Sequence, residues 1–179
     1  MTLSIIGISG GPEPGGRTST AIAAVLAGTG AEHTELLELS QVSTEQAVAA
    51  IAAADGVVFG SPVFRATYSA QLKDLLERTE RGKWGEQTDP LRGTVAATVL
   101  TGATGHHFLA ANDLRNVLAS FFAVQVLSPG LYFDHAAYTS RTELTEANAA
   151  LAGAHGAALA DLAVAVGGSK ALSTITPQI

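Results

Sequence analysis

GISGGPEPGGRTS, Gly7 to Ser19, overlaps the end of a short apolar run, Leu3 to Ile8, and the start of an alanine-rich segment, Thr18 to Leu26 (TSTAIAAVL). A short apolar run closed by glycines reads as a buried strand, and the small-residue segment behind Thr18 and Ser19 reads as a helix. The glycine-rich stretch is therefore a loop that carries the chain from a strand into a helix. The same alternation recurs downstream. His33 to Leu39 reads as a second strand, Thr44 to Ala54 (TEQAVAAIAAA) as a helix opened by a Ser-Thr cap with Gln46 following, and Gly56 to Gly60 (GVVFG) as a third, buried strand. Tyr68 to Glu80 is helical by pattern, and Thr94 to Leu100 (TVAATVL) is a fourth strand. Gly105 to Phe122 follows as a fourth helix, Val124 to Phe133 as a fifth strand region, and Thr142 to Val166 as a closing helix.

Strands that alternate with helices need crossover connections, which produce a parallel sheet covered on both faces. The pattern predicts an α/β, three-layer, doubly wound fold of the flavodoxin-like kind, with a five-stranded parallel sheet in the order 2-1-3-4-5. Residues 1–166 are expected to form this single domain and 167–179 a flexible C-terminal tail. Arg78 to Pro90 (RTERGKWGEQTDP), which holds the only tryptophan, reads as an exposed excursion. In such sheets ligands bind beyond the carboxyl ends of the strands, which singles out the loops Ser9 to Arg17, Ser61 to Arg65 and Thr101 to Gly105.

Composition narrows the function. The 179 residues are 47% hydrophobic and 15% charged, enough apolar material for one core. A net charge of −6 without any Lys/Arg cluster argues against a sequence-independent grip on nucleic acid, which needs a basic face. The absence of cysteine excludes disulfides, thiol catalysis and thiolate metal sites. The N-terminus, MTLSIIGIS, has no basic leader, and no later stretch is an uninterrupted apolar run of about 20 residues. The expectation is a soluble, cytoplasmic protein with no membrane partner.

The opening loop fits two functional patterns loosely. GPEPGGRT, Gly11 to Thr18, is one substitution from G-x-x-x-x-G-K-[ST], but Arg17 replaces the lysine, two prolines stiffen the loop, and no apolar strand ends in a magnesium-binding aspartate. GISGG, Gly7 to Gly11, satisfies G-x-S-x-G, but Ser9 would sit on the first strand, with no earlier loop to supply the second oxyanion donor. The histidines show no metal-ligand spacing. What both patterns share is a loop opening a helix, which presents backbone N–H groups, the Thr18 and Ser19 hydroxyls and the Arg17 cation to an anion. A monophosphate suits it; a plain turn with Thr18 or Ser19 as helix cap is the other reading. SPVFRATYS, Ser61 to Ser69, offers a stiff backbone and flat apolar walls to a planar ring. TGATGHH, Thr101 to His107, offers small residues whose amides can approach a heteroaromatic edge.

These segments resemble the NADPH-dependent FMN reductases of the flavodoxin-like fold, including the reductase partners of two-component flavin monooxygenases, over nearly the whole chain. ADGVVFGSPVFRATYSAQLKDLLE, Ala54 to Glu77, is similar to the family's strand–TPVY–K-x-x-YS-x-x-LK-x-LLD pattern. TGATGHHFLA, Thr101 to Ala110, is similar to its TGG-[ST]-x-x-H-LLA loop, with His107 in the place of the family histidine. The opening loop resembles its GSP-x-x-x-SR-[ST]-S phosphate loop, with Pro12, Arg17, Thr18 and Ser19 retained. The resemblance implies that FMN is held by Ser9, Gly11, Gly16, Arg17, Thr18 and Ser19 at its phosphate end. Pro62, Val63, Phe64 and Arg65, with Thr101, Gly102, Ala103 and Thr104, are then the ring contacts.

The implied reaction is hydride transfer from NADPH, or NADH, to flavin, with no side chain serving as a catalytic acid, base or nucleophile, and no metal. A flavin-dependent monooxygenase is the implied recipient and a homodimer or homotetramer the implied assembly. An FMN-bound quinone or xenobiotic reductase, or a non-catalytic flavin-binding electron carrier, are the alternatives. Three departures stand out. Gly11 and Gly16 occupy positions where the family places serines, and Glu13 adds a negative charge to the loop; Phe64 replaces a tyrosine and Ala103 a glycine; and between His107 and Leu114 the helix is one residue short of the π-bulged form of sulfonate-type reductases.

Overall fold

Apolar side chains on both sides of β1 (Ser4–Ser9) leave it no wet face: Ile5 and Ile8 are fully buried and Ile6 nearly so. Such a strand belongs inside a parallel sheet. In the computed structural model, which describes residues 2–178, β1 pairs in parallel with β2 (His33–Glu38) and with β3 (Gly56–Phe64). The crossovers are α1 (Arg17–Gly28) and α2 (Thr44–Ala52). A capping box opens α2: the Ser43 hydroxyl accepts from the Gln46 amide at 3.2 Å, and the Gln46 side chain accepts from the Ser43 amide at 2.9 Å. After β3 the chain turns back to β4 (Thr67–Tyr68) and enters α3 (Ala70–Arg78). β5 (Val95–Thr101) leads through a 3-10 turn at Gly105–His107 to α4 (Ala110–Asn116) and a π turn at Val117–Phe121. The fifth sheet position is shared by β6 (Gln125–Val126) and β7 (Leu131–Phe133), both parallel to β5. Last come a 3-10 turn at His135–Ala137, a hairpin of β8 (Tyr138–Ser140) and β9 (Glu143–Leu144), α5 (Glu146–Gly167) and the one-turn α6 (Lys170–Ser173).

The sheet order β2-β1-β3-β5-β6, with β7 alongside β5, is the 2-1-3-4-5 order expected from the sequence once the hairpin strand β4 is set aside. Alternate side chains of each strand feed two cores. One, with Ile5, Val58 and Val99, is covered by Ile22 and Val25 of α1 and Leu159 of α5; the other, with Ile8, Phe59 and Leu100, is covered by Ile51, Leu72 and Leu114 from α2, α3 and α4. By length and composition alone α5 is apolar enough to cross a membrane; here its inner face seats on α1.

Several boundaries differ from the pattern-based reading. The third helix begins at Ala70, not Tyr68, because Thr67 and Tyr68 pair back onto Phe64 and Val63. The fifth strand region breaks between β6 and β7, where Pro129 brings no N–H to a ladder. The closing helix begins at Glu146 behind a Thr145 cap, and Thr142 lies in the β8–β9 turn. The segment Gly105 to Phe122 is not one helix. Its π turn is closed by the Phe122 amide donating to the Val117 carbonyl at 3.2 Å, downstream of the His107–Leu114 span in which the spacing left no room for a bulge. The extra residue turns Phe121 out to 45% exposure and Phe122 in to 3%, with the two rings edge to face at 5.1 Å.

The Arg78–Pro90 excursion is tied down by two carboxylates. Glu80 accepts from the Gln87 and Thr88 amides and the Thr88 hydroxyl, and Glu86 accepts from the Arg81 and Lys83 amides. These hydrogen bonds, from the Thr88 hydroxyl first for Glu80 and from the Arg81 amide first for Glu86, hold both carboxyls below their ordinary pKa. Trp84 stands 84% exposed, and the Arg81 guanidinium lies over its ring at 4.7 Å and over that of Phe121 at 3.9 Å.

Candidate functional site

Strand register brings the three singled-out loops to one edge of the sheet. Ser9 stands opposite Glu38 of β2 and Gly60 of β3, Pro62 of β3 opposite Thr101 of β5, and Thr101 opposite Phe133 of β7. A cleft of about 380 Å³ opens there, within the size range of small-molecule sites. Gly11, Gly16, Arg17, Thr18 and Ser19 form one end of it. Pro62, Val63 and Phe64 form one wall, and Thr101, Gly102 and Ala103 the other.

Three of the residues singled out in the sequence stand outside this lining. Ser9 is fully buried beneath the loop, its hydroxyl 3.0 Å from that of Ser19. Arg65 is exposed at the tip of the β3–β4 hairpin. Thr104 lies beyond the cleft: its carbonyl accepts from the Tyr132 hydroxyl at 2.7 Å, and its own hydroxyl caps the 3-10 turn that follows. His107, in that turn, is also exposed and away from the cleft.

The phosphate-loop end has the chemistry of an anion site. The N-cap of α1 is Gly16, which offers no side-chain cap, so the first-turn N–H groups point at the cleft without a side-chain acceptor. Thr18 and Ser19 are buried, and their hydroxyls pair with Thr101 at 2.8 Å and with Ser9 at 3.0 Å. In each pair one hydroxyl proton is used and the other remains to donate elsewhere. Arg17 has its guanidinium 5.6 Å from the centre of the Tyr138 ring, and its Nε is buried with no hydrogen-bond partner. The Tyr138 hydroxyl donates to the Arg17 carbonyl at 3.0 Å; burial pushes that phenol well above its ordinary pKa, with the Arg17 charge opposing, so it stays a donor. An orphaned guanidinium nitrogen, spare hydroxyl protons and uncapped amides fit a phosphate monoester.

The ring end is apolar and strained. Phe64 is 50% exposed on the cleft wall, and the turn beside it, Arg65-Ala66, has φ of 53° and 69°. A two-residue hairpin turn needs positive φ at both positions and normally uses Asn or Gly. Neither is present, and each such residue costs roughly 1–2 kcal/mol, so the β3–β4 pairing holds the turn, and Phe64 with it, against local preference.

Four residues of the lining were not among those assigned from the sequence. Pro12 and Glu13 belong to the opening loop itself; His135 and Arg141 arrive from beyond β7. The rule that sends ligands to the carboxyl ends of strands applies to β7 as much as to β1, β3 and β5, and would have added that last loop. Among the described residues, no three His, Asp or Glu side chains converge as a metal site.

The model of the NADPH-dependent FMN reductases matches residues 3–138. Over 83 residues the chain is 32% identical to the NADH-dependent FMN reductase SfnF of Pseudomonas putida, covering 46% of this chain and 41% of that protein. Over 125 residues it is 29% identical to an iron-sulfur flavoprotein of Methanocaldococcus jannaschii, covering 57% and 63% of the two. The chain thus spans less than two thirds of each of these relatives. Among solved structures, an NADH:FMN oxidoreductase (EMOB) in its apo form superposes with a TM-score of 0.77 at 18% identity, over 96% of this chain and 94% of that one. A flavodoxin, WrbA-like protein from Agrobacterium tumefaciens superposes with a TM-score of 0.71 at 18% identity, over 92% and 99%. The two superpositions establish the flavodoxin-like fold; with the family match across most of the sequence, the chain belongs to the NADPH-dependent FMN reductase family.

Proposed function

We propose that the protein binds FMN in this cleft and catalyses its reduction by NADPH or NADH. The observation that carries the reading is the joining, in one cleft, of an uncapped, hydroxyl-lined helix N-terminus to a flat apolar slot of the right order of size. Thr18, Ser19, Arg17 and the first amides of α1 hold the phosphate. Pro62, Val63 and Phe64 face Thr101, Gly102 and Ala103 across the slot for the ring. The Gly102 amide donates to the Phe133 carbonyl at 3.0 Å, which leaves the amide of Ala103, next along the loop, to serve the ring edge. Bound there, FMN supplies the redox chemistry by accepting hydride from the nicotinamide, and the protein supplies position and electrostatics. Half-exposed Phe64 leaves the slot open on the side from which a second ring stacks. Glu13, the carboxylate in the cleft lining, stands at the phosphate end, and the residues named for the ring slot include none, whereas a one-electron carrier typically surrounds its flavin ring with negative charge; this favours a reductase over a carrier.

The phosphate end also bears on what becomes of the product. Gly11 and Gly16 supply no hydroxyl where the family pattern has serines, and each hydrogen bond to a charged group is worth roughly 1.5–3 kcal/mol. A grip lighter by two such bonds suits flavin that comes and goes, the behaviour of a reductase that feeds a flavin-dependent monooxygenase. Desalting the protein after incubation with FMN tests this. Loss of the flavin, together with a rate that saturates with free FMN, is expected; retained stoichiometric flavin that turns over only with a quinone would establish a bound-cofactor enzyme.

Gly16→Ser is expected to tighten FMN. Gly16 has φ −86° and ψ −174°, extended backbone that any residue adopts, and a Cβ there meets nothing closer than 3.8 Å. The new hydroxyl donates to the phosphate, lowering the dissociation constant by about tenfold, read by quenching of flavin fluorescence. Unchanged affinity would place the phosphate away from the α1 N-cap.

A further inference from the structure

Arg141 sits in the turn between β8 and β9, beyond the stretch matched by the family model, and yet it lines the phosphate end of the cleft. Its Nη2 lies 2.9 Å from Oε2 of Glu13, the carboxylate that the phosphate loop carries at a position the family pattern leaves open. A Cβ built on Gly16 would stand 3.8 Å from the same Nη2, so the guanidinium hangs over the N-cap of α1, where an anion bound by that helix would lie. The hairpin is fastened to the helix at two places, before this point and at it. The Tyr138 hydroxyl donates to the Arg17 carbonyl at 3.0 Å, and the Thr20 hydroxyl is 3.5 Å from the Arg141 carbonyl. Arg17, the other cation of the loop, is stacked toward Tyr138.

We infer that Arg141 is a second arginine, beside Arg17, that grips the phosphate of the flavin, and that Glu13 holds it over the empty loop until the phosphate displaces the carboxylate; this rests on the FMN reading of the cleft. The exchange is favourable on simple grounds. The Glu13–Arg141 pair is open to water, with side-chain exposures of 71% and 58%, and an ion pair so screened holds weakly. A phosphate monoester brings nearly twice the charge and three acceptor oxygens in a geometry that a guanidinium fork meets bidentately. It is also held from below by the helix amides. The exchange leaves Glu13 without its partner but in solvent. Glu13 therefore serves as a placeholder that preorganises the arginine and costs affinity for doing so. A cation from the far end of the chain offsets part of what is lost with the two hydroxyls at Gly11 and Gly16, and the site selects phosphorylated flavin through residues outside the family's phosphate-loop pattern.

Flavin titrations with FMN and with riboflavin, on the wild-type protein and on Arg141→Ala, Arg141→Lys and Glu13→Gln, test this without reference to turnover. Arg141→Ala is expected to raise the FMN dissociation constant by about tenfold to a hundredfold and to leave riboflavin unchanged. Arg141→Lys, which keeps the charge and loses the fork, should fall between. Glu13→Gln should tighten FMN several-fold, and more so when Arg141 is present than in the Arg141→Ala background. A wild-type protein that prefers FMN to riboflavin, with Arg141→Ala and Arg141→Lys equal to it on a matched thermal transition, overturns the inference and leaves the FMN reading standing. A wild-type protein that binds neither flavin overturns both.

Discussion

Alanine at Gly156 is expected to lower stability by about 2 kcal/mol or more, whereas alanine at Gly153, on the same helix, is expected to raise it by about 0.5–1 kcal/mol. The two substitutions are chemically identical and differ only in what the new methyl meets. A Cβ on Gly156 collides with the Val25 carbonyl oxygen and comes within 2.9 Å of the Gly28 carbonyl carbon and 3.0 Å of the Thr29 nitrogen. All three are backbone atoms of α1 and the residue after it, so no side chain can rotate aside and the helices must part. A Cβ on Gly153 meets nothing within 4 Å and only removes the backbone-entropy cost of glycine in a helix. For a chain of this size each kcal/mol moves the thermal midpoint by roughly 2–4 °C, so the two variants should melt on opposite sides of the wild type. Equal midpoints would mean that α5 does not seat on α1 as closely as described. Because α1 carries the phosphate loop at its other end, Gly156→Ala should weaken FMN binding as well.

Gly102→Ala is expected to cost more than tenfold in FMN affinity. Its Cβ would overlap the Tyr132 hydroxyl and lie 2.8 Å from the ring carbon that bears it. That hydroxyl donates to the Thr104 carbonyl, and burial raises its pKa above the ordinary phenol value, so it remains a donor at neutral pH. To admit the methyl the ring must swing out, the Thr104 carbonyl loses its partner, and the Thr101–Thr104 loop opens at the ring edge. Tyr132→Ala in the same chain removes the obstacle but leaves the Thr104 carbonyl without its partner, so it should restore only part of the affinity that Gly102→Ala loses. Wild-type affinity in Gly102→Ala alone would show that this loop does not face the flavin ring.

The parts of this protein that were legible in the sequence are those carried by runs of residues. Leu3 to Ile8, GVVFG and TVAATVL are apolar on both faces, which forces a parallel sheet, and the sheet order followed from their alternation with helices. The cleft was legible because its three loops end adjacent strands, so Pro62 and Thr101 meet by register alone. What escaped depends on single residues or on pairings far apart in the chain. Glu13 and Arg141 are separated by 128 positions, and each is an ordinary surface charge until β7 and the hairpin bring them together. YTSRTEL, Tyr138 to Leu144, has polar residues and a helix-capping Thr145 behind it, so its last residues pass for the start of the helix that begins later. The π turn at Val117–Phe121 hinges on one extra residue in a helical pattern, which burial of Phe122 decides and composition does not record. The family resemblance puts Thr104 and Arg65 with the ring contacts. The structure turns the first toward Tyr132 and leaves the second at a hairpin tip.

The most direct test of the central claim is the consumption of NADPH and of NADH by the purified protein in air, followed at the nicotinamide absorbance band, with and without added FMN. The account predicts oxidation that depends on FMN, saturates with it, and falls sharply when riboflavin replaces it. No oxidation of either nicotinamide, with FMN present or absent and with quinone added, would contradict it.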